Sequence, residues 1–201
     1  MKTVAKKLIY YVASTVDGFI ARKDGSFDWF LFEGEHFADL TAQFPETFPS
    51  HLRKLLGIGD EAGCFDTVLM GRSTYELGLR EGIANPYAPL RQIVVSKTMS
   101  ESPDPGVELF GGDPVHLVQE LKLGHGKDIW LCGGGKLAAS LATEIDELIL
   151  KINPVVIGSG IPLFDGPGFK VPLALVSSKS YSNGFVLARY TMPKPPIATS
   201  E

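Results

Sequence analysis

One stretch constrains this chain more than any other: Asp128-Ile129-Trp130-Leu131-Cys132, then Gly133-Gly134-Gly135, then Lys136-Leu137-Ala138-Ala139-Ser140-Leu141-Ala142. Ile129, Trp130 and Leu131 have strand composition. Leu137 and Leu141, with Ala138 and Ala142 beside them, open a small-residue helix directly after the glycines. A glycine turn feeding a helix start presents free backbone N–H groups and the positive end of the helix dipole, which together accept phosphate or another anion. Alone, a triple glycine is as readily a tight turn. Gly133, Gly135 and Ala138 fit the spacing of the dinucleotide fingerprint, but that fingerprint belongs after the first strand of a βαβ unit. Here it comes late and precedes a helix-free tail, so an ordinary Rossmann domain is rejected.

The chain before this stretch alternates strand and helix. Leu8–Ala13 is apolar on both faces, as in the centre of a covered sheet. Phe19-Ile20-Ala21 continues the apolar pattern, and Lys23-Asp24-Gly25-Ser26 is a polar turn. Glu33–Leu56 reads as mostly helical, interrupted at Pro45 and Pro49 and ended by Gly57 and Gly59. Thr67–Met70 and Gln92–Val95 are further buried strands, and Val107-Glu108-Leu109 is a short one. Ser73 or Thr74 is expected to N-cap the helix after the first of these, and Asp113-Pro114 opens a helix over Val115–Leu123. Beyond residue 143 the pattern changes. Glu147–Ile152, Val155–Ile157, Val171–Ser180 and Phe185–Met192 read as strands without intervening helices, and Asn183-Gly184 supplies a hairpin turn. The expectation is a largely parallel α/β sheet with an antiparallel C-terminal edge. Residues 1–192 form one domain in this reading, and Pro193–Glu201 is a disordered tail.

A net charge of −4 gives no footprint for nucleic acid or an anionic membrane, and no apolar run is long enough to cross a bilayer. Lys2, Lys6 and Lys7 before Leu8–Ala13 imitate a signal peptide, but Asp17-Gly18 stands where a cleavage site would be, so a first strand is the better reading. Cys64 and Cys132 make no disulfide framework, which fits a reducing cytoplasm. HExxH and paired Cys/His motifs are both missing, and the cluster of Glu35, His36 and Asp39 lacks ligand spacing, so no metal site is expected.

In an open α/β sheet, ligands bind beyond the carboxyl ends of the strands. Four strand ends here carry small or anion-friendly groups: Ala13-Ser14, Gly71-Arg72-Ser73-Thr74, Ser96-Lys97 and Gly133-Gly134-Gly135-Lys136. Backbone N–H groups, hydroxyls and the cations Arg72, Lys97 and Lys136 suit a long polyanionic ligand such as a dinucleotide.

With these motifs in order, the chain resembles the dihydrofolate reductase superfamily, most closely the branch holding the reductase domain of riboflavin biosynthesis and its stand-alone relatives. The segments that carry the resemblance are Ala13–Ala21, Met70–Glu76, Val94–Lys97, Gly133–Leu137 and Ile145–Leu148 through Pro154–Phe164. The resemblance implies a three-layer α/β fold: a mixed, mostly parallel sheet with antiparallel C-terminal strands and helices on both faces. It implies an NADPH-dependent hydride transfer to a small nitrogen heterocycle, pterin- or pyrimidine-like, and a homodimer formed through the C-terminal strands. By motif position, Gly133, Gly134, Gly135, Lys136 and Leu137 would hold the pyrophosphate and nicotinamide side. Gly71, Arg72, Ser73 and Thr74 would contact phosphates, Ser96 and Lys97 the adenosine 2′-phosphate, and Ala13 and Ile20 the nicotinamide. A guanidinium and an ammonium near one phosphomonoester favour NADPH over NADH.

The substrate side departs from the family. Riboflavin reductases typically carry Glu just before the glycines, whereas this chain has Cys132, which cannot replace a carboxylate as acceptor for sugar hydroxyls. That weighs against the 5-amino-6-(5-phosphoribosylamino)uracil reductase step, which stands as the named alternative beside a protein that binds NADPH without turnover. Dihydrofolate reductases place an acid a few positions after a Trp. Here Trp29 is present with Asp28 and Glu33 as the nearest candidates for catalysis, and neither aligns cleanly. Trp29, Phe32, Phe37 and Cys132 are the candidates for a flat substrate pocket, with core packing the default for each aromatic. The loop Arg22–Asp28 is a candidate lid.

Overall fold

A computed structural model describes residues 5–59 and 63–193. Its centre is β1 (Leu8–Thr15), whose side chains are nearly all buried because both faces of the strand are covered. Around it lie β3 (Phe65–Gly71), β4 (Arg91–Val95), β5 (Val107–Phe110), β6 (Asp128–Leu131), β7 (Glu147–Asn153), β9 (Ala174–Ser180) and β10 (Val186–Thr191). The order across the sheet is β5-β4-β3-β6-β1-β7-β10-β9. The pairings from β5 through β7 are parallel, while β10 runs antiparallel to both β7 and β9. The antiparallel C-terminal edge expected from the helix-free tail is therefore present. A separate two-stranded ribbon joins β2 (Phe19–Ala21) to β8 (Ile161–Pro162).

Helices cover both faces. On one face, α4 (Pro114–Leu123) and α5 (Gly135–Ser140) pack Leu117, Val118, Leu121, Leu137 and Ala138 against Leu8, Tyr10, Leu69, Ile129 and Leu131. On the other, α1 (Glu35–Gln43) and α3 (Arg72–Arg80) bring Leu40 and Tyr75 onto Ile9, Tyr11, Val68, Trp130 and Ile149. The period-two alternation of each strand sorts its residues between these two cores. α4 starts as its sequence dictates: the Asp113 carboxylate accepts from Val115 N at 2.9 Å and Pro114 occupies the first turn. The helical stretch after Glu33 is broken into α1, a 3-10 turn at Pro45–Thr47 and α2 (Ser50–Arg53), with Pro45 and Pro49 at the breaks.

Two expectations are corrected. α3 begins at Arg72, straight out of β3, so Gly71 holds the N-cap position and neither Ser73 nor Thr74 can cap it. Val155–Ile157 is not a strand. The Asp17 carboxylate accepts from Ile157 N at 3.2 Å and Gly158 N at 2.7 Å, so these donors are spent on a side chain instead of a ladder. The tail expected over Pro193–Glu201 lies, from residue 194 on, outside the described residues.

Candidate functional site

Because β1, β3, β4, β6 and β7 are parallel, their carboxyl ends share one edge of the sheet. The four sequence segments singled out above meet there. Gly133 and Gly134 have φ of 129° and 91°, a conformation that side chains rarely adopt. A Cβ on Gly133 would meet nothing within 4 Å, so the turn faces open space. A Cβ on Gly134 would lie 3.3 Å from Thr74 Oγ1, and one on Gly71 would lie 3.9 Å from Leu137 Cβ, which places the start of α3 against the glycine turn. Gly135 is required for a different reason. A Cβ there would come within 2.3 Å of the Pro162 carbonyl oxygen, because the loop after β8 crosses directly over the turn and Asp165 N donates to Gly135 O at 2.9 Å.

The cations line the same edge. Arg72 is exposed and donates from Nη1 to Thr98 Oγ1 at 2.7 Å, while its Nε lies 3.5 Å from Glu76 Oε1. This ties the loop carrying Ser96 and Lys97 to the start of α3. The buried Ser96 hydroxyl accepts from Met99 N at 3.0 Å and Thr98 N at 3.3 Å, so it shapes the loop, while Lys97 and Lys136 are exposed. Ser73 is also exposed and Thr74 half-buried. Ala13 and Ile20 are half-buried, and Ile20 packs against the core beneath α5.

One wall is hinged on Asp17. Besides Ile157 and Gly158, its carboxylate accepts from Thr15 Oγ1 at 2.6 Å. These hydrogen bonds, the Thr15 hydroxyl foremost, hold the carboxyl below the usual carboxylate range. They fix the segment after β7 onto the end of β1. The loop Arg22–Asp28 faces that segment, and a cavity of about 360 Å³ lies between Arg22, Lys23 and Asp24 on one side and Ile157 and Ser159 on the other.

The acid and aromatic candidates are dispersed. Asp28 is on the surface in an ion pair with Arg22, and Glu33 is exposed. Trp29 carries the Arg22 guanidinium 4.4 Å from its ring centre, and its buried indole N–H has no hydrogen-bond partner among the described residues. Phe32 is 62% exposed. Phe37 packs edge-on against Phe48 at 5.3 Å. Cys132 sits at the end of β6, its thiol donating to Tyr87 Oη at 3.7 Å, and burial pushes it up to about 11, so it is a neutral thiol. Sequence reasoning passed over Lys151, a lone cation in the run Leu148-Ile149-Leu150-Lys151-Ile152. It lies beside Ala13 in the ladder. A charge interrupting an apolar strand was the available signal.

A profile of the RibD C-terminal domain matches residues 6–187. This chain belongs to the RibD C-terminal domain family. Among relatives, it is 32% identical over 185 residues to the uncharacterized protein YwjB of Bacillus subtilis (strain 168), covering 90% of this chain and 96% of that one. It is 27% identical over 198 residues to YyaP of the same organism, covering 92% and 94%. Among solved structures, a putative riboflavin biosynthesis protein from Shewanella sp. PV-4 superposes with a TM-score of 0.69 at 23% identity, over 94% of this chain and 99% of that one. The bifunctional diaminohydroxyphosphoribosylaminopyrimidine deaminase/5-amino-6-(5-phosphoribosylamino)uracil reductase of Thermotoga maritima gives 0.63 at 17% identity, over 94% of this chain and 57% of that one. These likenesses establish the reductase-type fold for this RibD C-terminal domain protein.

Proposed function

We propose that this RibD C-terminal domain protein is an NADPH-dependent reductase that delivers hydride to a small nitrogen heterocycle, pterin- or pyrimidine-like. The observation that carries the reading is the open glycine turn at Gly133–Gly134, flanked by Arg72, Lys97 and Lys136 along one sheet edge. Backbone N–H groups at the turn would hold pyrophosphate, with Gly71, Ser73, Thr74 and Leu137 lining it, and Arg72 with Ser96 and Lys97 would receive the 2′-phosphate. Ala13 and Ile20 would border the nicotinamide. When bound, the cofactor supplies the hydride, and the protein sets distance, orientation and dryness. The loop Arg22–Asp28, opposite the Asp17-anchored segment, would close as a lid.

The reading puts the protein in a reducing cytoplasm, consistent with its two free cysteines. It also predicts a homodimer through the C-terminal strands, since β9 is an exposed edge with Leu175 and Val176 58% and 56% exposed. Calorimetry with NADPH and NADH tests the cofactor assignment. NADPH is expected to bind at least tenfold more tightly, and Arg72→Ala to remove most of that preference; equal affinities unaffected by Arg72→Ala would reject it. Oxidation of NADPH with a panel of pterins and pyrimidines tests turnover. Tight cofactor binding with no oxidation on any of them would favour a non-catalytic binding protein instead.

A further inference from the structure

Every lysine is costly to bury without a counter-charge. Two buried lysines of this chain meet one: Lys6 Nζ lies 2.5 Å from Asp66 Oδ1, and Lys122 Nζ lies 2.6 Å from Asp146 Oδ2. Lys151 does not. It stands in β7 opposite Ala13 of β1 and Leu187 of β10, near the carboxyl ends of the parallel strands. Its partly buried ammonium rests 4.1 Å from the centre of the Tyr11 ring. No hydrogen bond or ion pair reaches it among the described residues.

The groups around it are neutral. Tyr11 in β1 is held protonated by burial, as is Tyr87, which touches Cys132. Cys132, after β6, is a neutral thiol as shown above. Leu187 of β10 is apolar. Burial lowers the Lys151 ammonium to about 8, with Cys132 opposing the shift weakly. Around pH 7 the amine is therefore mostly charged, and the face of Tyr11 offsets only part of its desolvation. The charge stands near the edge where the strand ends converge, beside Ala13 of β1.

We propose that Lys151 is a substrate-binding cation of this site and pairs with an anionic oxygen carried by the heterocyclic substrate, a carboxylate or a phosphate. The inference rests on the reductase reading above and sharpens its substrate class.

Orotate and uridine 5′-monophosphate serve as anionic probes of the two sources, with uracil and uridine as their uncharged controls. Their affinities are measured by calorimetry with NADPH present and absent. At least one anionic probe is expected to bind the unaltered protein tenfold or more tightly than its control, and the probe that does so identifies the source. Lys151→Met, close in length and apolar, should abolish that ratio while leaving NADPH affinity unchanged, and Lys151→Arg should largely keep it. For orotate or the monophosphate, the preference should fade as pH rises through about 8, where the amine loses its proton. A ratio near one, or one that survives Lys151→Met, overturns the proposal. Failure of NADPH to bind the unaltered protein would instead reject the reductase reading, while the anion ratio without cofactor would still decide the role of Lys151. Should Lys151→Met not fold, labelling of the unaltered protein with trinitrobenzenesulfonate decides: an anionic probe should slow modification of Lys151 severalfold, and equal rates with and without it refute the contact.

Discussion

Gly135→Ala is informative because two physical effects of opposite sign compete at one residue. Gly135 is the first residue of α5 and has ordinary helical backbone. By helix propensity alone, alanine there would stabilise by up to about 1 kcal/mol. The added methyl, however, would sit 2.3 Å from the Pro162 carbonyl oxygen, 3.1 Å from Asp165 Cβ and 3.2 Å from Asp165 N. The nearest of these is backbone, so no side chain can swing away, and the loop must retreat by roughly 1 Å to restore van der Waals contact. Overpacking of this kind costs about 1–3 kcal/mol, and a backbone collision belongs at the upper end. The net expectation is a loss of about 2 kcal/mol, which for a protein of this size lowers Tm by about 4–8 °C. Differential scanning calorimetry reads it, with Lys136→Ala as the neighbouring control, expected to change stability by less than about 0.5 kcal/mol because Lys136 is exposed. The same retreat would displace the glycine turn from the loop over it, so NADPH affinity should fall as well. A Tm equal to or above that of the unaltered protein would refute the argument that the crossing loop, not helix geometry, requires glycine here.

Glu46 is fully buried and accepts from the backbone N–H groups of Gly63, Cys64 and Phe65 at 2.8, 2.5 and 2.6 Å. Glu46→Ala strands these donors at the entrance to β3 and should cost about 3–5 kcal/mol in urea unfolding; a loss below 1 kcal/mol would show that water replaces the carboxylate. Glu147 is pushed up by burial but brought net below its usual 4.5 by hydrogen bonds from Lys7 and Arg189. A folded-state value depressed in this way adds stability above about 4.5 that is lost as pH falls through the folded value. Stability should therefore drop below pH 4.5, and Glu147→Gln should flatten that drop while costing about 2 kcal/mol at neutral pH. An unchanged acid limb in Glu147→Gln would remove Glu147 from the account.

The sequence alone determined what is local or periodic. Leu8–Ala13 reads as a covered strand, Asp113-Pro114 as a helix start, and Asn183-Gly184 as the turn of the last hairpin, where Gly184 takes φ 85°. Strand–helix alternation followed by bare strands was enough to give a parallel sheet with an antiparallel edge. The strand-end motifs were legible because glycine, hydroxyl and cation chemistry sits within a few residues of each strand. Tertiary structure alone decided everything whose partner is distant in the chain. The run Val155–Ile157 has strand composition but follows Pro154, turns its Val155 N–H back onto Asn153 O and gives its Ile157 N–H to Asp17, a carboxylate from the far side of the sequence. Gly135 looked like one glycine of three until the Pro162 loop came over it. Lys151 looked like an interruption in an apolar strand. Only the ladder that sets β7 beside β1 placed its ammonium on Tyr11 near Cys132, where neutral neighbours leave the charge unanswered. Propensity and periodicity act over one or two turns of chain, whereas burial, counter-charge and close approach are properties of what the fold brings together.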